Sequence, residues 1–130
     1  MEIRKAKKID IPTIHSLILS ATRRGKILKR SIQDITRNLK HFWIVEEDHR
    51  VVACCAIEVY SKKLAEIRSL VVDHGHEKKG IATCLIEKGI QEAKRKKIYE
   101  VLAITDRENL FKRQGFSEQL HGQKALFLRP

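Results

Sequence analysis

Apolar residues change their period several times along the chain, and each change marks an element. Residues 2–5 read as a short strand. From Ile11 the apolar positions fall at Ile11, Ile14, Leu17, Ile18 and Ala21, a helical stripe, with Asp10 placed to cap its start and Pro12 in its first turn. Gly25 punctuates the next loop. Ser31, with Asp34 three residues on, has the form of a capping signal and opens a second helix carrying Ile32, Ile35 and Leu39 on one side. Residues 42–45 and 51–60 are β-rich and flank the polar run Glu46-Glu47-Asp48-His49-Arg50, which predicts an antiparallel hairpin.

Residues 64–73 continue as another strand, and a polar turn then leads into a long helix from Gly80 to about Lys96. Its stripe is Ile81, Leu85, Ile86, Ile90 and Ala93, and Glu92 with Lys96 forms an i,i+4 pair. Gly89 lies one turn beyond Leu85, where it costs about 1 kcal/mol relative to Ala unless close packing on the sheet offsets it. Residues 101–104 read as a short buried strand, 109–114 as a helical turn or two, and 116–120 with 124–128 as a closing hairpin. The expected class is α+β, a mixed, mainly antiparallel central sheet flanked by helices in the order β-α-α-β-β-β-α-β-α-β-β, in a single domain spanning 1–130.

A chain of 130 residues, 42% hydrophobic and 33% charged, can bury a core without metals or disulfides and gives no compositional case for disorder. Its first residues hold no apolar run of signal-peptide length, and the uncharged stretch 51–57 is too short to span a bilayer, so a cytoplasmic protein without membrane partners is expected. Three cysteines are an odd count, and Cys54 and Cys55 point to opposite faces of a strand, so all three read as reduced. Lys+Arg at 27 against Asp+Glu at 16 gives a net charge of +11, a field that gathers anions. The lysines are spread along the chain rather than interleaved with aromatics, which argues against nucleic acid as the partner.

The chemistry concentrates where a strand runs into a glycine-bearing turn and then a long helix. Unpaired N–H groups and the positive dipole end at a helix N-terminus suit an anion, and phosphate is the natural guest. Lys78 and Lys79 add charge, Gly80 lets the backbone approach closely, and Ala82 and Thr83 keep the first helical turn slim. No Gly-Lys-Thr/Ser follows a four-residue spacer, which excludes a P-loop, and a dinucleotide fingerprint needs two more glycines. Asp73-His74-Gly75-His76 has two histidines without a third placed ligand and reads as a solvated loop, so no metal is expected. Trp43 and Tyr60 read as core or rim aromatics.

The segment Glu77-Lys78-Lys79-Gly80-Ile81-Ala82 resembles the Arg/Gln-x-x-Gly-x-Gly/Ala signature of the GNAT superfamily of N-acetyltransferases. The resemblance covers the whole chain, including the late Leu110-Phe111-Lys112-Arg113-Gln114-Gly115-Phe116. More narrowly the chain resembles short, kinase-less N-acetylglutamate synthases, through Gly25-Lys26-Ile27-Leu28, Phe42-Trp43-Ile44-Val45-Glu46, the strand from Ala65 to Val72, Ala103-Ile104-Thr105, and Gly115-Phe116. One departure is Glu77, which places a carboxylate where the signature has Arg or Gln.

The resemblance implies a GNAT-like fold and an acyltransferase that moves acetyl from acetyl-CoA to a small primary amine, above all the α-amine of glutamate or a related amino acid. It implies that the backbone of Lys78, Lys79, Gly80, Ile81, Ala82 and Thr83 holds the pyrophosphate, and that Leu70, Val71 and Val72 supply oxyanion and pantetheine contacts. Glu66 takes the place of the base. Arg68, on the same face, and Arg30, before the second helix, are candidate forks for the carboxylates of an acidic acceptor. The tyrosine that usually serves the leaving group falls at Phe111, which has no hydroxyl. Other readings stay open: a protein or small-molecule N-acetyltransferase with another acceptor, or a non-catalytic acetyl-CoA-sensing domain. A homodimer is compatible with the sequence.

Overall fold

A computed structural model describes residues 1–25 and 27–130; Lys26, within one of the resemblance segments, lies outside the described residues. The elements run β1 (Glu2–Lys5), α1 (Ile11–Arg23), α2 (Ile32–Arg37), β2 (Phe42–Glu47), β3 (Arg50–Val59), β4 (Leu64–Val72), α3 (Ile81–Arg95), β5 (Glu100–Ala103) and α4 (Glu108–Lys112). Three short 3₁₀ turns, Lys8–Asp10, Leu39–His41 and His74–His76, join some of them.

The five strands form one sheet in sequential order, antiparallel except for the parallel pairing of β4 with β5. The β2–β3 turn is two residues, Asp48 and His49, both at positive φ (49° and 64°), the backbone that matches the twist of a tight hairpin. Cys54 and Cys55 sort to opposite faces as alternation requires. Cys54 packs with Ile14, Ile18 and Ile35 under α1 and α2, while Cys55 packs with Ile81 and Leu85 under α3. Burial pushes the Cys54 thiol up to about 12 and raises that of Cys55 as well, so both stay protonated and neither serves as a nucleophile.

Gly89 is where α3 meets the sheet. A β-carbon there would stand 2.6 Å from Ile67 Cδ1 and 2.9 Å from Ile67 Cγ1, so the glycine permits a helix-to-sheet approach that any side chain would block. The α2 cap also forms, with Asp34 N donating to Ser31 Oγ at 3.0 Å.

Three expectations are corrected. Asp10 does not cap α1 with its side chain; its carboxylate accepts a bidentate pair from Arg4 (2.8 and 3.1 Å) and Lys7 N (2.7 Å), because an arginine on the adjacent strand is a stronger partner than a helix N–H. Glu92 pairs with Arg95, at 2.9 and 3.3 Å, rather than with Lys96. The closing hairpin forms only its turn: Leu120 and Gln123 make an isolated bridge around His121 and Gly122, both at positive φ. Residues 124–130 carry no strand, and Leu126, Phe127 and Leu128 remain exposed. Lys112 draws Glu118 to 2.8 Å, which ties the first would-be arm to α4.

Candidate active site

The sheet opens between β4 and β5. β5 pairs with β4 only from Leu64 to Ile67, so residues 68–72 of β4 have no strand neighbour on that side. At the same point β4 bulges. Ala56 of β3 opposes Arg68 and Cys54 opposes Val71, which leaves Ser69 and Leu70 against the single Cys55. Ser69 sits at φ 53°, a left-handed conformation uncommon for a non-glycine residue. The bulge turns backbone groups of β4 into a cleft of about 390 Å³ whose walls include Leu70, Val71, Val72, Thr105 and the buried Phe111.

That cleft continues into a wider hollow of about 780 Å³; the two share Ile27, Arg68, Ser69, Ile104, Thr105 and Asp106. The hollow adds Glu66 and Leu28. Glu66 and Arg68 are two apart on β4 and so share one face, while Ile67 between them packs beneath α3 against Ile86 and Phe111.

Behind Glu66 and Arg68 lies a charged network. Glu58 of β3 is the register partner of Glu66. Its Oε1 accepts from Arg30 Nη2 at 3.1 Å and its Oε2 from Arg68 Nη1 at 2.8 Å. Glu66 Oε1 accepts from the Tyr60 hydroxyl at 2.5 Å. Burial first, then the Glu66 carboxylate, push the Tyr60 phenol up to about 12, so it holds its proton and acts as a donor. Burial is the largest single influence on the Glu58 carboxyl and pushes it up, but Arg68 and Arg30 together outweigh it and hold the group ionised, below its usual range.

Arg30 is placed differently from a free fork. It is 4% exposed, and its guanidinium is used by Asp34 (2.7 and 3.3 Å), Glu58 and Ser69 Oγ (3.3 Å). It is a strut beneath the hollow that steadies the bulge. Arg68 does line the hollow, a third of its side chain remains exposed, and among the described residues its hydrogen bond is made through Nη1.

At the other end of the cleft, Gly80 precedes α3 at φ 79°, as a glycine in that position can, and the N–H groups of Ile81, Ala82 and Thr83 open its first turn. A recess of about 290 Å³ lies before them, bounded also by Lys78 and by Arg107 and Arg113 from around α4. Lys79 is exposed and does not line it. Glu77 is held at the rim in a cluster with Arg24: Arg24 Nη1 is 3.8 Å from Glu77 Oε1 and 3.2 Å from His74 Nδ1. The recess thus combines the N–H groups that open α3 with three cations and one carboxylate, Glu77, and its net positive charge suits an anionic group of phosphate size.

A strand bulge facing a splayed neighbour, with a glycine-led helix N-terminus at the end of the same cleft, agrees with the family model described as the acetyltransferase (GNAT) family, which matches residues 12–119. The chain belongs to that family. It is an acetyl-CoA-dependent acetyltransferase. Among relatives, an uncharacterised N-acetyltransferase of Chlorobaculum tepidum is 34% identical over 116 residues, covering 89% of this chain and 75% of that protein. The amino-acid acetyltransferase of Mycobacterium tuberculosis is 30% identical, covering 89% of this chain and 68% of its own. Among solved structures, N-acetylglutamate synthase from Neisseria gonorrhoeae complexed with coenzyme A and N-acetyl-glutamate superposes with a TM-score of 0.85 at 27% identity, covering 89% of this chain and 28% of that one. Among the described residues, no helix is long and apolar enough to cross a membrane.

Sequence reasoning missed Glu58, Tyr60, Arg107 and Arg113. Glu58 had a signal: it is the one charged residue between Val51 and Tyr60. The two arginines of the α4 region had none, because only the fold brings them to the α3 N-terminus.

Proposed function

We propose that this acetyltransferase acetylates the α-amine of glutamate or a closely related amino acid. The observation that carries the reading is the presentation of opposite charges, Glu66 and Arg68, on one face of β4 in a single hollow at the bulge. A zwitterionic acceptor matches that pair: its ammonium meets Glu66 and a carboxylate meets the open part of the Arg68 guanidinium. The kinship to an amino-acid acetyltransferase and the fold shared with N-acetylglutamate synthase support the same acceptor class.

In this reading Glu66 accepts the proton that the ammonium must lose before its nitrogen can attack, directly or through one water. Acetyl-CoA supplies the electrophilic thioester carbon, where a C–N bond forms as the C–S bond breaks. Backbone N–H groups of β4 at Leu70 to Val72 stabilise the charge that develops on the carbonyl oxygen. The nitrogen loses its second proton as the amide forms, and since Phe111 has none to offer, the departing thiolate takes that proton through water or leaves as such while the proton passes to solvent; the modest basicity of a thiolate makes an acid less necessary. Lys78, Gly80, Ile81, Ala82 and Thr83 hold the pyrophosphate, with Arg107 and Arg113 facing it and Lys79 adding only to the surrounding field.

Thiol release measured with L-glutamate, L-glutamine and a panel of N-terminal peptides tests this. Saturable turnover of glutamate is the expected result. Turnover of peptides with glutamate inert would overturn the acceptor assignment, and saturable acetyl-CoA binding without turnover of any amine would leave a sensing domain instead.

A further inference from the structure

Glu58 and Glu66 are direct cross-strand partners, an arrangement in which like charges repel. Both residues are at least nine-tenths buried, which adds a desolvation cost. A pair of apolar residues would hold β3 to β4 at less expense, so these carboxylates are poorly explained by stability alone. What distinguishes them is how fully each is aimed. Glu58 spends both oxygens on arginines. Glu66 has one oxygen bound by Tyr60, and its Oε2 has no protein partner among the described residues.

Tyr60 has one proton to give. Its oxygen lies 2.5 Å from Glu66 Oε1 and 3.3 Å from Glu58 Oε2, and the shorter charge-assisted bond takes it. Tyr60 is half exposed; its N–H donates to Leu64 O at 2.9 Å in the turn after β3, which anchors its backbone, and the 2.5 Å bond to Glu66 sets its phenol against the carboxylate. Arg68, in turn, is held through Nη1 by Glu58, while its Nη2 and Nε make no protein hydrogen bond among the described residues.

We infer that Tyr60 and Glu58 are positioning residues for acetyl transfer: Tyr60 pins one oxygen of Glu66 so that the other serves the acceptor amine, and Glu58 holds Arg68 so that its remaining donors serve the acceptor carboxylate. The assignment rests on the roles proposed above for Glu66 and Arg68. It adds that proton acceptance and carboxylate recognition are aligned by two adjoining sets of hydrogen bonds, Tyr60 with Glu66 and Glu58 with Arg68 and Arg30, the second of which reaches the bulge through Ser69. Tyr60 therefore governs turnover, and Glu58 governs acceptor affinity.

Double-mutant cycles test this on the full chain, with calorimetric acetyl-CoA binding as the check that each variant is folded. Tyr60→Phe removes a single oxygen and is expected to lower kcat about tenfold with the acetyl-CoA KM unchanged, yet to cause no further loss in a Glu66→Gln background. Glu58→Gln is expected to raise the acceptor KM about tenfold with little change in kcat, and to add nothing in an Arg68→Ala background. Losses that simply add in the double variants, or wild-type kinetics in Tyr60→Phe, would overturn the inference. The acceptor is whichever amine of the panel the wild type acetylates. Failure of glutamate alone sinks the acceptor assignment and leaves these cycles readable with the other amine, whereas failure of every amine sinks both.

Discussion

The two ends of the cleft are built from different materials. At the α3 end the donors are backbone N–H groups arranged by Gly80, and the side chains nearby add charge, with Glu77 beside Arg24 and Arg113 donating to Asn109 O. At the hollow the polar groups are side chains held in fixed pairings: Tyr60 donates to Glu66, and beside them Glu58 accepts from Arg30 and Arg68. A backbone site accepts any phosphate of the right reach and tolerates changes in its neighbours. A side-chain site demands particular atoms and fails when one is lost. In the proposed reading that explains how Glu77 can stand at the α3 end: its carboxylate lies beside Arg24, and the backbone donors remain.

The contrast can be broken most forcefully at Glu66. Glu66→Gln should lower kcat by about a hundredfold or more, the size of a lost general base, while acetyl-CoA binding by calorimetry stays near wild type. Arg68→Ala should come next, raising the acceptor KM by roughly ten- to a hundredfold, equivalent to about 1.5–3 kcal/mol for a charge-assisted bond, and sparing the KM for acetyl-CoA. An unchanged acceptor KM would remove Arg68 from recognition.

Gly89→Ala probes neither end but the joint behind both. The added methyl meets Ile67, whose strand neighbours are Glu66 and Arg68, so a loss of about 1–3 kcal/mol in urea denaturation is expected. Smallest is Glu77→Gln. Freeing Arg24 and removing a rim carboxylate should tighten acetyl-CoA by no more than about threefold, since exposed ion pairs contribute little. A loss of binding there would show that the backbone site depends on its side chains after all.

Much of the fold was legible because hydrophobic period reports local geometry. The α1 and α3 stripes, the tight β2–β3 hairpin and the opposed faces of Cys54 and Cys55 follow from spacing alone. Gly80 was legible as well, because a glycine between a strand and a helix has few explanations. The closing hairpin was not: its turn formed, but whether its arms pair is settled by competitors such as Lys112, which holds Glu118 against α4. Asp10 went to Arg4 for the same reason, a partner six residues away that the helix period cannot see.

By itself, then, the sequence determined the elements, the glycine-led helix start and the presence of Glu66 and Arg68 on a common strand face, since these depend on neighbours within a turn or a pleat. Only the tertiary structure decided which charges meet. The β3–β4 register set Glu58 against Glu66, the bulge at Ser69 and the early end of β5 opened the cleft, and burial turned Arg30 from a free cation into a strut. The physical reason is that charged side chains choose partners by distance and solvent exposure across the fold, and neither is encoded in the spacing of residues along the chain.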